Sequence, residues 1–577
     1  MKQFGVIKTV LFTLTALLLF APMAQERFKF FAFKPLEGVF EPAPEPNLTF
    51  DSYRTAKYQT QLEPYLSEHF GFREPLIRTY NQFLYDCFRK TYSQDVMVGK
   101  DHWLYFRQNV NDFYGTEMKR WFADADEARE AFDQEARLMW KLHGVLKDYG
   151  IDFLVFMAPE KGFLYPEHLP DRHFDTTSIN ARTYFSKKFD EYGFPYIEMT
   201  PWFIALKEAD TLPYSLFPQT GAHWCFSSVL AADSLFRFMG HLSGKPLPKL
   251  SIGPLHERVE RERNADFDLE GIVNLWRPLP HEDNRLLEAE VSVVDDSTAT
   301  KPNVLFVGTS FLWQMVMYIP FDELFSYSEY WYYNSTAYFG KDYHQIANVG
   351  DLDVLQKLLD ADYIVWLSEG EQMYKASFKF VESALVKLCV SEDRQAAVKQ
   401  HLMDSLRNDR QVMASLDPNL EENKLTGLLW EKANRMILRE PEKYFPELAG
   451  DSIPTARNPR VPEALAIKEI KKDSAWMMNL QCQTVIHNTT LEQVLKMEAQ
   501  NILNDRPLMR DMENVVSRTT YVESLVKAME ETILGNEELT RMAREKSEQN
   551  GISFEEQVNA DARWIINYQI NNGEIVF

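Results

Sequence analysis

Between residues 96 and 390, apolar positions fall into short continuous runs separated by longer segments with helical spacing. Four runs have the length of buried strands: 151–158, 195–199, 304–307 and 363–367. Three segments carry apolar residues at intervals of three and four: 127–149, 179–192 and 227–239. Two shorter runs, 96–100 and 103–106, flank a polar turn and also have the pattern of strands. This alternation predicts an α/β domain over 96–390, with a parallel sheet flanked by helices and ligands at the carboxyl ends of its strands.

The beginning of the chain has the pattern of an export signal. Lys2 and Lys8 precede a mostly apolar run over 10–24, as in the charged and apolar regions of a signal sequence. Pro22 and Met23 are unfavourable close to a cleavage point, which favours an uncleaved anchor over a signal peptide. Lysines ahead of the run place the N-terminus in the cytoplasm and the rest of the chain outside it.

The chain thus divides into four predicted parts. They are a signal peptide or anchor over 1–25, an extended proline-rich tether with a helical lead-in over 26–95, the α/β domain over 96–390 and a helical domain over 391–577. Within the last part, 470–504 aligns without gaps on 533–567, and 406–437 forms a weaker third copy. Thr490 and Ser553 occupy equivalent positions and each has the pattern of a helix N-cap. The alternatives are repeated helices that build a binding surface and a plain helical bundle with chance similarity.

Charge and cysteine content exclude several classes of function. The 577 residues carry a net charge of −23 without a basic stripe, which argues against a nucleic-acid partner. The four cysteines show neither a CxxC pair nor metal-ligand spacing, and no phosphate-binding glycine loop is present. The sequence therefore predicts no metal and no cofactor.

A serine and a histidine carry the candidate chemistry. Ser310 follows the strand run 304–307 at the point where a helix should start, so its hydroxyl and backbone N–H would face a ligand. His223 could take the proton of that hydroxyl and so activate it for acyl transfer. The alternatives are a tight turn built from small residues and a structural histidine in the pair His223-Trp224.

Four sequence elements resemble the alginate O-acetyltransferase AlgJ/AlgX family over roughly residues 60–390. The elements are 98–104 (Val-Gly-Lys-Asp-His-Trp-Leu), Lys161 with 165–167 (Tyr-Pro-Glu), 217–224 (Phe-Pro-Gln-Thr-Gly-Ala-His-Trp) and 308–311 (Gly-Thr-Ser-Phe). The resemblance implies an SGNH hydrolase-like α/β fold and a location in the periplasm. The pattern of the N-terminal segment predicts that this segment anchors the protein to the inner membrane. It also implies a polysaccharide substrate, a membrane-bound O-acyltransferase as acetyl donor, and Ser310 and His223 as catalytic residues.

The chain departs from this family at Gly221, where the family has an aspartate two residues before the histidine. An acid at that place orients the imidazole, and its loss can cost around four decades in rate. Glu160 and Glu369, at predicted strand ends, are the candidates to replace it; otherwise a Ser310–His223 dyad acts slowly or the site only binds.

Other residues have weaker support for a role at the same site. The candidates for oxyanion or substrate contacts are Thr309, Asn334, Lys161 and Trp224. The primary expectation is O-acetylation of an extracytoplasmic polysaccharide. A carbohydrate acetyl-esterase and a non-catalytic polysaccharide-binding or scaffold protein are the alternatives.

Overall fold

The computed structural model describes most of the chain. The described residues are 2–38, 43–257, 266–281, 286–294, 296–416, 420–487, 489–509, 518–550 and 552–571. The described residues before Val96 form four helices: α1 (Lys2–Phe28), α2 (Phe50–Arg54), α3 (Lys57–Glu68) and α4 (Arg73–Phe88). Within α1, the 19 residues Val10–Phe28 are long and apolar enough to cross a membrane, and this is the one such helix among the described residues.

The α/β part follows directly, and its elements come in the order that the sequence pattern predicts. In chain order they are β1 (Val96–Val98), β2 (Leu104–Phe106), α5 (Arg107–Phe113), α6 (Met118–Trp121), α7 (Ala125–Lys147), β3 (Asp152–Ala158), α8 (Lys161–Leu164), α9 (Ala181–Tyr192), β4 (Tyr196–Glu198), α10 (Thr200–Ala209), α11 (Ser228–Ser243), β5 (Leu250–Ile252), β6 (His256–Glu257), α12 (Asp268–Val273), β7 (Leu287–Glu288), β8 (Val291–Val293), β9 (Asn303–Gly308), α13 (Phe311–Tyr318), α14 (Phe321–Leu324), β10 (Tyr327–Tyr332), β11 (Thr336–Phe339), β12 (Gln345–Asn348), α15 (Val354–Asp360), β13 (Tyr363–Glu369), α16 (Gly370–Met373) and α17 (Phe380–Cys389).

A seven-stranded sheet forms the centre of this part, with the strand order β12-β11-β10-β9-β13-β3-β4. The five strands from β10 to β4 are parallel, whereas β11 and β12 are antiparallel and extend one edge. The predicted α/β fold with a parallel sheet flanked by helices is confirmed. The two antiparallel strands were not predicted, because their polar, aromatic-rich sequence lacks a continuous apolar run.

Both faces of the sheet are covered, which explains the continuous apolar runs of β3, β9 and β13. One face packs against α7, α9, α15 and α17, and the other against α11, α13 and α14. Every residue of β3 and β13 is buried. The carboxyl ends of the parallel strands therefore meet at one rigid edge, where the following loops lie.

The described part of the chain after Cys389 is helical. It contains α18 (Glu392–Asn408), α19 (Arg410–Ala414), α20 (Glu422–Arg439), α21 (Pro441–Tyr444), α22 (Val461–Lys472), α23 (Ser474–His487), α24 (Leu491–Leu503), α25 (Arg518–Gly535), α26 (Glu537–Asn550) and α27 (Phe554–Asn571).

The aligned repeat corresponds to the same local structure in each copy. Helices α23 and α26 begin and end at equivalent positions of the alignment, and each is preceded by a helix that packs on the third helix of its unit. The side-chain oxygens of Asp409, Asp473 and Asn536 each accept two backbone N–H groups at the start of the middle helix. The alanines of the third helices, Ala433, Ala499 and Ala562, are all fully buried. The repeating unit is therefore a set of three helices.

Candidate functional site

Ser310 lies at the carboxyl edge of the sheet, between β9 and α13. The strand ends at Gly308, where an added Cβ would lie 2.0 Å from the carbonyl oxygen of Leu367 in β13. Only glycine permits this close approach of the two strands. The Thr309 N–H donates to that same carbonyl oxygen at 3.2 Å, which fixes the turn. Ser310 then stands as the N-cap residue of α13 and is partly exposed.

His223 reaches Ser310 from a segment 87 residues earlier in the chain. Its Nε2 lies 2.6 Å from Ser310 Oγ, and its Nδ1 lies 2.6 Å from Oδ2 of Asp268. Because a carboxylate oxygen only accepts, Nδ1 is assigned the hydrogen and donates it to Asp268. In the neutral ring, Nε2 then accepts from the Ser310 hydroxyl. The three side chains thus stand in the order that serine acyl transfer requires of a nucleophile, a base and an orienting acid.

Asp268 is the first residue of α12, and its second carboxylate oxygen is also held. Oδ1 accepts the backbone N–H of Ala222 at 2.8 Å and that of Leu269 at 2.7 Å. The first of these bonds joins the acid directly to the residue before His223. The acid and the histidine therefore keep one relative position although 45 residues separate them.

Helix α12 is also attached to the N-terminal part of the chain. The Asn81 side chain in α4 donates to the Val273 carbonyl at 2.8 Å. At the end of α12, Asn274 accepts the N–H of Glu37 and donates to its carbonyl, each at 2.9 Å. The tether and α4 therefore support the helix that carries Asp268.

The surroundings of His223 control its charge. Burial opposes the imidazolium, but the charge of Asp268, its hydrogen bond and the charge of Glu369 outweigh this, so the pKa of His223 is raised. An imidazolium formed during proton transfer from Ser310 is thus stabilised where it arises. The histidine is suited to act as base and then as acid.

The Ser310–His223 pair opens into a cleft of about 790 Å³. Ten polar and aromatic residues are among those that line it: Gln94, Phe106, Arg107, Gln108, Asn111, Arg120, Phe311, Tyr332, Tyr333 and Gln372. Amide and guanidinium donors next to aromatic rings match the hydroxyl groups and apolar faces of sugars. The volume lies within the range typical of small-molecule sites.

Tyr333 stands over the serine. It follows β10 with a left-handed backbone, φ 47°, and its N–H donates to the Gly308 carbonyl at 2.8 Å. Tyr333 and Ser310 line the same cleft. Burial and then the charge of Glu369 raise the pKa of Tyr333, while its interaction with Ser310 opposes this. The phenol therefore keeps its proton and can donate it to an oxyanion that forms at Ser310. The sequence analysis missed this residue, since it belongs to an aromatic run that has no motif.

Thr309 and Glu369 lie beneath the nucleophile and bind each other. The Thr309 hydroxyl donates to Oε2 of Glu369 at 2.5 Å, and the Thr309 carbonyl accepts from the Tyr330 hydroxyl. The Thr309 N–H is already used in the bond to Leu367, so this residue does not offer an oxyanion donor. Burial raises the pKa of Glu369. Glu369 lines the cleft but does not occupy the position at His223 Nδ1.

Glu160 belongs to a buried carboxyl cluster behind the cleft. Asp112 and Glu371 are its neighbours, and Arg182 Nε lies 3.5 Å from its Oε1. Burial raises the pKa of all three carboxyls, and repulsion between them raises those of Glu160 and Glu371 further. Neither Glu160 nor Glu369 therefore orients His223; Asp268 does so.

Lys161 and Trp224 support the backbone around His223 and do not face the cleft. The fully buried Lys161 ammonium donates to the carbonyls of Leu104, Gln219 and Gly221 at 2.7, 2.9 and 2.7 Å. Burial lowers the pKa of Lys161 well below its usual range. The Trp224 indole N–H donates to the Phe311 carbonyl at 3.0 Å, joining the histidine segment to α13.

Asn334 lies beyond the site. Its amide donates to the Phe378 carbonyl at 3.1 Å, and its backbone has φ 51°. It acts as a turn residue at the end of β10 and does not offer a donor to the cleft. Among the residues that the structure describes, no group of His, Cys, Asp and Glu side chains is arranged to hold a metal ion.

The fold and the serine at the carboxyl edge of its sheet agree with the expected SGNH hydrolase-like α/β domain. Residues 96–315 match the family model of the SGNH hydrolase-like domain of the acetyltransferase AlgX. The matched span is shorter than the 60–390 of the predicted resemblance, and includes His223, Asp268 and Ser310. No curated protein sequence matches the chain.

Three solved structures are similar over about half of the chain. The O-acetyltransferase domain of Pseudomonas putida AlgJ has 15% identity and a TM-score of 0.31, covering 58% of this chain and 99% of that one. Pseudomonas aeruginosa AlgX has 15% identity and a TM-score of 0.32, covering 51% and 68%. Bacillus cereus PatB1, solved with a sulfonyl adduct, has 12% identity and a TM-score of 0.31, covering 50% and 99%.

Proposed function

We propose that this protein transfers acetyl groups to hydroxyls of an extracytoplasmic polysaccharide through Ser310. The observation that carries the proposal is the chain of two 2.6 Å contacts from Ser310 Oγ through the His223 ring to the Asp268 carboxylate. This chain opens into a cleft whose amide, guanidinium and aromatic lining suits a sugar. The AlgX-type domain over 96–315 supports acetyl transfer as the reaction.

In the first half of the reaction, His223 Nε2 takes the hydroxyl proton while Ser310 Oγ attacks the acetyl carbonyl of the donor. The carbonyl oxygen becomes an oxyanion, which the Tyr333 phenol and the Ser310 N–H stabilise as donors. The bond to the leaving group breaks, and His223 gives its proton to that group. Ser310 then carries the acetyl ester.

In the second half, a sugar hydroxyl in the cleft gives its proton to His223 and attacks the acetyl-serine carbonyl. The second tetrahedral intermediate collapses, and His223 returns the proton to Ser310 Oγ. Asp268 keeps Nδ1 protonated in both halves, so Nε2 always presents its lone pair to the attacking hydroxyl. Water in place of the sugar hydroxyl would yield acetate, which is the esterase reaction.

The N-terminal helix supports the proposed location. We place α1 in the inner membrane as an uncleaved anchor, with the α/β part in the periplasm; the apolar stretch Val10–Phe28 supports this placement. A membrane-bound O-acyltransferase would then deliver the acetyl group, as the family resemblance implies.

The test uses the full chain with an acetyl-ester chromophore. The wild type should release the chromophore, and Ser310→Ala should abolish release. Addition of an oligosaccharide should increase release and yield an acetylated sugar. Release that survives Ser310→Ala would contradict the proposal, and release that yields only acetate would identify an esterase.

A further inference from the structure

One face of α4 exposes large apolar side chains. Leu76, Tyr80 and Phe83 follow each other at helical spacing and are 55, 52 and 55% exposed. The opposite face is buried and includes Arg78, Asn81 and Tyr85, of which Asn81 bonds to α12. The exposed face continues to Cys87 and Phe88, and we refer to Leu76, Tyr80, Phe83, Cys87 and Phe88 as the α4 apolar face. Contiguous apolar surface of this kind marks a site of interaction.

Aromatic residues outside α4 widen this surface. Trp276 is half exposed, and its indole N–H donates to the Thr79 hydroxyl at 3.0 Å, which holds the ring beside the helix. Tyr92 is largely exposed and packs edge-on against Tyr80. Trp and Tyr are the side chains that concentrate at the boundary between membrane and water.

The end of α1 is fixed against the beginning of α4. A Cβ added at Gly71 would lie 2.2 Å from the Pro22 carbonyl oxygen and 2.6 Å from the Glu26 nitrogen, so the two segments are in direct contact. The Phe72 ring packs against Phe33, 5.9 Å between centroids. Since the charged residues Glu26 and Arg27 lie in the last turn of α1, α4 begins where a bilayer containing α1 would meet water.

The charge of this region differs from that of the whole chain. Residues 73–90 carry four basic and two acidic side chains, or three basic and two acidic ones without the buried Arg78, whereas the chain has a net charge of −23. A locally basic segment with exposed aromatic residues is attracted to anionic lipid. A protein partner would not need the apolar face to lie at the end of a membrane-spanning helix.

We propose that α4 lies in the plane of the membrane interface, with its apolar face inserted among the headgroups of a bilayer that contains anionic phospholipid. The inference rests on the membrane insertion of α1 and not on acyl transfer. It gives the α/β part a fixed height above the bilayer, because α4 is hydrogen-bonded to α12.

Cys87 provides the probe for the test. It is exposed on the α4 apolar face, whereas Cys225 and Cys389 are buried; Cys482 is replaced by serine in all samples. The full chain, labelled at Cys87 with an environment-sensitive fluorophore, is inserted into vesicles of anionic and neutral phospholipid carrying a headgroup-proximal spin label. Interfacial helices lie roughly 5–10 Å deep, so we expect at least about a twofold loss of emission, greater with anionic lipid.

Leu76→Ser/Tyr80→Ser/Phe83→Ser should abolish the quenching. Leu539→Ser/Met542→Ser, which changes exposed apolar residues of α26, should leave it unchanged. Ser310→Ala should also leave it unchanged, so failure of the acyl-transfer proposal is separable. Co-flotation of the protein with the vesicles measures the insertion of α1 independently of the quenching.

Three results would overturn the proposal. The first is protein that floats with the vesicles although its probe is not quenched. The second is quenching that requires a second membrane protein. The third is crosslinks through Cys87 between two copies of the unlabelled protein.

Discussion

Asp268→Asn tests the assignment of the orienting acid. Asp268 is the acceptor for His223 Nδ1–H at 2.6 Å. An asparagine can present either its oxygen or its amide nitrogen to the ring. With the nitrogen facing Nδ1, the ring must carry its hydrogen on Nε2, which then cannot accept the proton of Ser310. Substitutions of this type cost around 10⁴ in kcat, about 5.5 kcal/mol of transition-state stabilisation.

The assay is the rate of chromophore release from an acetyl ester by the full chain. The carbonyl oxygen of the introduced asparagine can still accept the N–H groups that Asp268 Oδ1 holds, those of Ala222 and Leu269, so Tm should change little. Glu270→Gln is the matched control, because Glu270 lies on the same helix but pairs with His281 at 3.1 Å. The control should retain activity within about threefold, since its partner lies outside the cleft.

A rate for Asp268→Asn within about tenfold of the wild type, with Tm unchanged, would refute the triad, since the loss would then fall below about 1.4 kcal/mol. The rate would in that case depend on a Ser310–His223 dyad.

Four further outcomes are expected. Because the pKa of His223 is raised above 6.5 and its neutral form is the base, the rate should rise with pH through an apparent pKa above 6.5; a midpoint below it in a pH–rate profile would contradict this. If the phenol is an oxyanion donor, Tyr333→Phe should lower kcat about 10²-fold with little change in KM. A rise in KM with kcat unchanged would show instead that the phenol binds the ground state. Gly308→Ala should lower the free energy of unfolding by more than about 2 kcal/mol, because its Cβ would lie 2.0 Å from a carbonyl oxygen; thermal unfolding would show this as a strong fall in Tm. Lys161→Met removes the ammonium from three buried carbonyls, of which that of Gln219 keeps the Leu104 N–H at 3.0 Å. The loss of this donor should cost about 3 kcal/mol in denaturant unfolding, and an unchanged midpoint would show that water replaces the ammonium.

The sequence predicts the central strands because they are buried on both sides. Because β3, β9 and β13 are buried on both faces, each has an uninterrupted apolar run. Such a run predicts both that the segment is a strand and that it lies in the centre of the sheet. The antiparallel β11 and β12 have one polar face and few residues, so their sequences do not distinguish them from loops. The pattern therefore identifies the parallel centre of the sheet and not its edge.

The site is less predictable than the fold, because its parts come from separate segments. Ser310 and His223 follow from local motifs, each readable within a few residues. Asp268 stands at the start of a six-residue helix in a charged region, without a motif around it. A departure from the family at Gly221 indicates that an acid must come from elsewhere, but only the folded chain shows from where.

The attachment of α12 to Asn81 and Glu37 has a practical consequence for where the protein can be shortened. A fragment that starts at residue 96, where the family match begins, keeps the serine, histidine and aspartate but discards two of the supports of the helix that bears the aspartate. Such a fragment should still form the central sheet, but the position of Asp268 relative to His223 should be less fixed. A fragment that keeps every described support of Asp268 therefore has to begin before Glu37, within a few residues of the apolar helix.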